Sequence, residues 1–304
     1  MSKIVVTWSI AYDYLMRVDN EFQNIILPEQ LSTLNVWFLA TDMEKSLGGT
    51  ATNIAYSLWL LWMKDQTWML GSVWKDFLAD KKISKQVDFS HIQKVEDDFT
   101  ACAYVITDLK QNQLIPFYPG AMNQADKMSL ENIEDIAYCI VSPNGKTAMM
   151  KFVQEAKEKG INCFFDPWQQ LPTFSKEELI SCCVSANYLI CNAYEFDLLM
   201  KITERDQAQL LKYFEKIIVT LWAHGVNLIE EGREVLIPGV LVSDAVDPTW
   251  CGDGLRAGLL YGLIEGKSRE ESLKIWTIVA SYVVRQKGTM DHFFKLSDIK
   301  KLLD

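Results

Sequence analysis

A chain of 304 residues can bury a full core, and 49% apolar with 23% charged residues is the balance of a globular protein with no membrane span: no segment approaches roughly 18 consecutive apolar residues. The net charge of −10 argues against a nucleic-acid surface, though an anionic small molecule could still be held by backbone amides. The opening "MSKIVVTWSIAYD" has one Lys, a short apolar stretch and Asp13, so it reads as a first strand and not a signal peptide, and a cytoplasmic location is expected. Seven Cys, at 102, 139, 163, 182, 183, 191 and 251, form no C-x-x-C pair. With His only at 91, 224 and 292 there is no zinc pattern, and thiols in apolar runs read as reduced and buried.

In chain order, apolar runs of strand length alternate with segments of helical period. Strand "KIVVTW" (3–8) is followed by helix "NIAYSLWLLWMK" (53–64) and strand "TWMLGSV" (67–73). Strand "YCIVSP" (138–143), helix "TAMMKFVQEAKEKG" (147–160), strand "NCFFDP" (162–167), helix "KEELISCCVSA" (176–186) and strand "YLICNA" (188–193) come next. Helix "DQAQLLKYFE" (206–215), strand "KIIVTL" (216–221) and the helical run "LRAGLLYGLIEG" (255–266) complete the series. Continuous apolar strands separated by helices predict a doubly wound α/β protein, its mainly parallel sheet covered by helices on both faces. Residues 14–47 and 98–120, with "NVWFLATD", "FTACAYVITD" and "LIPFYP", alternate in polarity and hold no crossover helix. They predict a small antiparallel β flap inserted into a single unit spanning 1–304, since no repeat or linker divides the chain.

Such sheets bind ligands where strand ends lead into helix N-termini. "GGTATN" (48–53) precedes a helix: Gly48 and Gly49 allow close backbone approach, and Asn53 offers a donor and an acceptor, though the segment also suits a plain turn. In "DPTWCGDGLRAG" (247–258), Gly252 and its neighbours open a helix whose amides suit an anion. Asp253 there is either a helix cap or a general base for a hydroxyl attacking a phosphoryl group. Asn192 and Glu195 in "NAYE" suit a magnesium-bound water network or an ordinary helix start, and Thr220 and Gly225 in "TLWAHG" are placed for phosphate or ribose. Neither G-x-x-x-x-G-K-[ST] nor G-x-G-x-x-G occurs.

Together "GGTATN" and "DPTWCGD" resemble the two signatures of the ribokinase-like (PfkB-type) carbohydrate and nucleoside kinases, a glycine-rich "GG…N" segment and a "DTxGxGD" loop. "SIAYDYLMR", "ILPEQL", "FYPGAM", "DPWQQLP", "NAYE" and "GTMDH" are similar to bacterial-type adenosine kinases, so the resemblance spans nearly the whole chain. It implies a ribokinase-like α/β domain with a β lid, and ATP- and Mg²⁺-dependent phosphorylation of a purine nucleoside, most specifically adenosine to AMP in purine salvage. A K⁺-like monovalent cation and a homodimer through the lid are left open, as is the alternative of a sugar kinase acting on ribose. By resemblance, Asp253 is the catalytic base, and Trp250, Cys251 and Gly252 form the anion hole. Ser9, Asp13, Gly48, Gly49 and Asn53 hold the ribose, Phe117 stacks on the base, and Gln169 and Gln170 read its edge. Asn192, Thr220, Gly225, Gly252, Gly288 and His292 lie along ATP, and Asn192 and Glu195 organise magnesium through water. An aromatic found near position 103 in some relatives is Ala103 here, which leaves the second face of the base without its partner.

Trp250 departs from this pattern, because the family has glycine where backbone must touch phosphate. Trp8, Trp59, Trp62, Trp74, Trp168, Trp222 and Trp276 also fall at family glycine positions, whereas Trp37 and Trp68 do not. Glycine is only about 5% of the chain, against about 7% ordinarily, beside ten tryptophans. Two readings follow: UGA codons that the host decodes as glycine, or a lineage with genuine tryptophans, in which Trp250 would leave a catalytically impaired ligand binder.

Overall fold

In a computed structural model of the chain, residues 2–246, 251–286 and 288–303 are described. The first half runs β1 (Lys3–Thr7), β2 (Ala11–Val18), β3 (Ala40–Gly48), α1 (Thr50–Leu60), β4 (Thr67–Leu70), β5 (Ser72–Trp74), α2 (Ile83–Gln86), β6 (Gln93–Val95), β7 (Ala101–Thr107), β8 (Gln113–Leu114) and β9 (Phe117–Tyr118). Then come β10 (Ile136–Val141), α3 (Lys146–Glu158), β11 (Asn162–Phe165), α4 (Lys176–Ser185), β12 (Tyr188–Asn192), α5 (Ala193–Thr203), α6 (Gln207–Leu210) and β13 (Lys216–Thr220). The chain closes with β14 (Val226–Glu230), β15 (Arg233–Ile237), α7 (Cys251–Ile264), α8 (Arg269–Val283) and α9 (Leu296–Leu303).

The main sheet has eight strands in the order β15-β14-β13-β12-β11-β10-β1-β4, parallel from β4 to β13 and antiparallel at β14 and β15. Period-2 alternation splits its apolar side chains between two cores, as the continuous apolar runs predict. Ile4, Val6, Ile140, Phe164 and Ile190 pack with α1, α7 and α8; Val5, Val141, Phe165, Leu189 and Cys191 pack with α3, α4 and α5. Helices α7 and α8 meet backbone to backbone: a Cβ at Gly258 would lie 2.8 Å from the Trp276 Cα, and one at Gly262 2.7 Å from the Ser272 Cα. Six of the seven cysteines are buried, as expected of core thiols. No helix among the described residues is long and apolar enough to cross a membrane.

The second sheet joins β3-β2-β7-β8, with β9 also on β7. One feature corrects the wholly antiparallel flap expected from sequence: β2 and β7 pair in parallel, Ala11 opposite Ala101 through Arg17 opposite Thr107. Between them the chain passes through β3, α1 and β4 to β6, a crossover long enough to return it from the same end. The run "TWMLGSV" is also two strands. A Cβ at Gly71 would sit 2.7 Å from the Trp8 carbonyl oxygen, and β5 turns away there to pair with β6. The helix expected at 206–215 is only the four-residue α6, stopped by turns at 211–213.

Candidate active site

The chain leaves β1 to opposite sides of the sheet, toward β4 on one flank and β10 on the other, so a crevice opens at the carboxyl end of β1. Ser9 and Asp13 lie just beyond that end, and the β3–α1 turn folds over them. A Cβ at Gly48 would be 2.0 Å from Asp13 Oδ2, and one at Gly49 would be 2.5 Å from the Ser9 carbonyl oxygen; Gly49 also has φ +79°. No other residue permits this approach. Asp13 is buried, and burial pushes its carboxyl up to about 7. Its Oδ2 and the Asn53 Oδ1 are buried without a hydrogen-bond partner among the described residues, two acceptors facing unmet demand.

Asn53, in the first turn of α1, donates from Nδ2 to Asp253 Oδ2 at 2.7 Å, joining positions 200 residues apart. Asp253 lies in the first turn of α7, beside the amides of Cys251 and Gly252. Burial pushes its carboxyl up to about 7, Arg256 and the Asn53 bond pull it down, and Asp166 and Asp13 push it up. A buried carboxylate with a pKa near neutrality, at a helix N-terminus, has the properties of a general base.

Sequence reasoning missed the group that holds this helix. Arg256 makes a two-pronged pair with Asp166, Nε to Oδ2 at 2.5 Å and Nη2 to Oδ1 at 2.8 Å, while Nη1 donates to the Gly252 carbonyl at 2.6 Å. Ser142, at the end of β10, donates to Asp166 Oδ2 at 2.7 Å. Arg256 and Asp166 are almost wholly buried, so the pair ties the carboxyl ends of β10 and β11 to the first turn of α7. A lone Arg in the apolar run "GLRAGLL" was the available signal, since an unpaired buried charge is not tolerated there.

The remaining expected residues divide. Asp13, Ala103 and Phe117 are directly opposite one another across β2, β7 and β9, which puts them on one face of the lid sheet, and Phe117 is half exposed. Gln169 is exposed; Gln170 is half buried and accepts from Thr173 Oγ1. Asn192 and Glu195 form the N-terminal box of α5, which is the helix-start reading. The Asn192 side chain accepts from the Glu195 amide at 2.8 Å, and both Glu195 oxygens are taken by the Asn192 backbone and side-chain nitrogens. Burial pushes Glu195 up to about 7. No group of three or more His, Cys, Asp or Glu suited to a metal occurs among the described residues. Thr220 stands opposite Asn192 at the strand ends, and Gly225 is pressed against the Ile237 carbonyl. Gly288 has φ +94°. His292 is a core residue. Only 2% exposed, it meets Ser57 Oγ at 3.0 Å through Nε2 and stacks on Phe294, its Nδ1 has no partner among the described residues, and burial pushes its pKa down to about 4. Trp250, with Asp247, Pro248 and Thr249, lies outside the described residues.

Comparison with known proteins gives the family of the chain. The chain is 26% identical over 302 residues to the nucleoside kinase of Methanocaldococcus jannaschii, covering 95% of this chain and 92% of that protein. It is 24% identical to the ribokinase of Haemophilus influenzae, covering 72% of each. Among solved structures, Burkholderia thailandensis nucleoside kinase in complex with inosine superposes with a TM-score of 0.86 at 28% identity, over 99% of this chain and 96% of that one. The family model described as pfkB family carbohydrate kinase matches residues 1–294, and the chain belongs to that family.

Proposed function

We propose that this kinase transfers the terminal phosphoryl group of ATP to the primary 5′-hydroxyl of a purine nucleoside, with adenosine as the preferred acceptor. The observation that carries the reading is the Asn53–Asp253 hydrogen bond, which brings the "GGTATN" turn and the head of α7 to one point. Asp13 Oδ2 and Asn53 Oδ1, without partners among the described residues, supply acceptors for the paired ribose hydroxyls. Asp253 accepts the 5′-hydroxyl proton as the oxygen attacks the terminal phosphorus, the bond from that phosphorus to the bridging oxygen breaks so that ADP leaves, and the amides at the start of α7 take up charge on the transferring group. The acceptor is held by Asp13 and Asn53 while Phe117 closes over its base from the lid. Asn192 and Glu195 would reach a magnesium ion on the nucleotide only through water, their own oxygens being committed to the helix cap, and the ion would supply charge neutralisation at the phosphates.

A nucleoside relative in complex with inosine supports a nucleoside over a free sugar. One observation favours the sugar reading: Ala103, opposite Phe117, gives the base no second aromatic face. A phosphate-transfer screen with ATP against adenosine, inosine, guanosine and ribose decides between them. The expected result is the highest kcat/KM with adenosine. Ribose exceeding every nucleoside would refute the proposal.

A further inference from the structure

We propose that the polypeptide its host makes carries glycine, decoded from UGA, at 8, 59, 62, 74, 168, 222, 250 and 276, and tryptophan only at 37 and 68. The inference stands on backbone conformation and does not depend on the nucleoside reading. Among the described residues only six non-glycine positions have φ in the left-handed range: Trp62 (+68°), Gln111, Asp135, Trp168 (+35°), Glu204 and Trp222 (+54°). Half of them are tryptophans, a type that makes up only ten of the 304 residues. Asp is among the types enriched at such positions and Gln and Glu are uncommon there, whereas a bulky aromatic is a genuine outlier and glycine is the default. Neither Trp37 nor Trp68 shows such a φ.

Position 62 shows what the backbone asks for. Helix α1 ends with the Met63 amide bonded to the Leu58 carbonyl at 2.8 Å, closing over a left-handed residue. Helix α3 ends in the same way, Ile161 to Ala156 at 2.8 Å over Gly160 (φ +65°), and so does α7, Lys267 to Gly262 at 2.9 Å over Gly266 (φ +71°). Glycine is the usual residue in this motif. The indole of Trp62 is 82% exposed and that of Trp222 80% exposed, so packing does not account for either.

Two buried indoles give independent support. Trp276 is fully buried where α8 crosses α7, and its Nε1 finds no acceptor among the described residues, although a buried indole N–H normally does. Trp8, just past the end of β1, meets Trp168 edge to face at 5.7 Å, and the Arg256 guanidinium lies 5.3 Å from its ring centre. The two indoles therefore pack on each other beside the Arg256 guanidinium. Trp59 packs against Tyr56 and Trp74 donates to the Glu96 carbonyl at 2.6 Å. Their conformations permit either residue, so they join the set through the sequence pattern, as does Trp250, outside the described residues.

The test reads the ten codons and the peptide masses of the protein isolated from its own cells. The expected result is UGA at the eight positions and UGG at 37 and 68, with glycine in peptides covering 62, 168 and 222. A UGG codon at any of the eight, or a peptide carrying tryptophan at 62, 168 or 222, overturns the inference. Two synthetic genes provide a second arm, one encoding the eight substitutions (Trp8→Gly and its counterparts) and one encoding tryptophan throughout. The glycine chain is expected to unfold at higher urea and to turn over on the order of 10²-fold faster, since two indoles are removed beside Arg256. Equal urea midpoints would overturn the conformational argument. A more stable glycine chain that phosphorylates no nucleoside would support the inference while refuting the nucleoside reading.

Discussion

Breaking the Arg256–Asp166 pair separates what holds the active site from what merely occupies it. Arg256→Met leaves Asp166, which has no solvent exposure, with the Ser142 hydroxyl as its one side-chain partner among the described residues. Removing one partner of a buried ion pair costs about 3–5 kcal/mol, a large part of a stability of about 5–15 kcal/mol. Asp166→Asn with Arg256→Met removes both charges, and such double replacements are close to neutral. The double variant should therefore recover most of the urea midpoint lost by the single variant. Its turnover should not recover, because the Gly252 carbonyl loses the 2.6 Å bond that fixes the first turn of α7. Its pH profile should move as well. Arg256 pulls the Asp253 carboxyl down and Asp166 pushes it up, with Arg256 the larger influence, so loss of both moves the acid limb of kcat to higher pH. Urea titration and kcat between pH 5 and 9 on the two variants measure this. A double variant with normal kcat and an unmoved acid limb would show that the pair only fills the core.

Asp253→Asn should keep nucleoside affinity and lower kcat by about 10²–10⁴, the contribution of a positioned base; near-normal turnover would remove Asp253 from the chemistry. Its folded pKa, raised to about 7, means that this carboxyl costs the native protein stability as pH rises from about 4 to 7, so the Asn variant should gain stability over the parent across that window and not below it. Asp13→Ala should raise KM through loss of charge-assisted hydrogen bonds worth about 1.5–3 kcal/mol each, and a parent enzyme phosphorylating adenosine and 2′-deoxyadenosine equally well would contradict a ribose role. Glu195→Gln preserves the α5 cap, because Gln also closes the box, so its urea midpoint should hold while the magnesium concentration for half-maximal rate rises; an unchanged magnesium dependence would leave Glu195 as a cap alone.

The sheet was legible because a parallel strand buried on both faces writes itself as an unbroken apolar run, and "KIVVT", "CIV" and "LIC" all carry that mark. The parallel β2–β7 pairing was not, since alternation along one strand carries no information on the direction of its neighbour. At the site, Asp13 came through the resemblance, and Asp253, Asn53 and the paired glycines were readable as chemistry next to turns. Their meeting was not, because the Asn53–Asp253 bond spans 200 positions. His292 came only through the resemblance, and its burial with Nε2 on the Ser57 hydroxyl was not readable from the local sequence. Arg256 and Asp166 were hidden by distance in sequence, each looking like an isolated charge.

The tryptophans carry a stability consequence of their own. A left-handed φ costs a residue with a side chain about 1–2 kcal/mol, so positions 62, 168 and 222 together hold about 3–6 kcal/mol of backbone strain. Glycine's larger loss of chain freedom offsets about 0.5–1 kcal/mol at each, which leaves a gain of about 2 kcal/mol for the triple substitution. The gain should not be shared evenly. The exposed Trp62 and Trp222 lose almost no burial on truncation, whereas Trp168 gives up its contact with Trp8. Trp62→Gly and Trp222→Gly should therefore each raise the urea midpoint at constant slope, and Trp168→Gly alone should change it little unless Trp8→Gly accompanies it. A lowered midpoint in either exposed variant would mean that these turns accept tryptophan without strain, and the conformational case for glycine would fall with it.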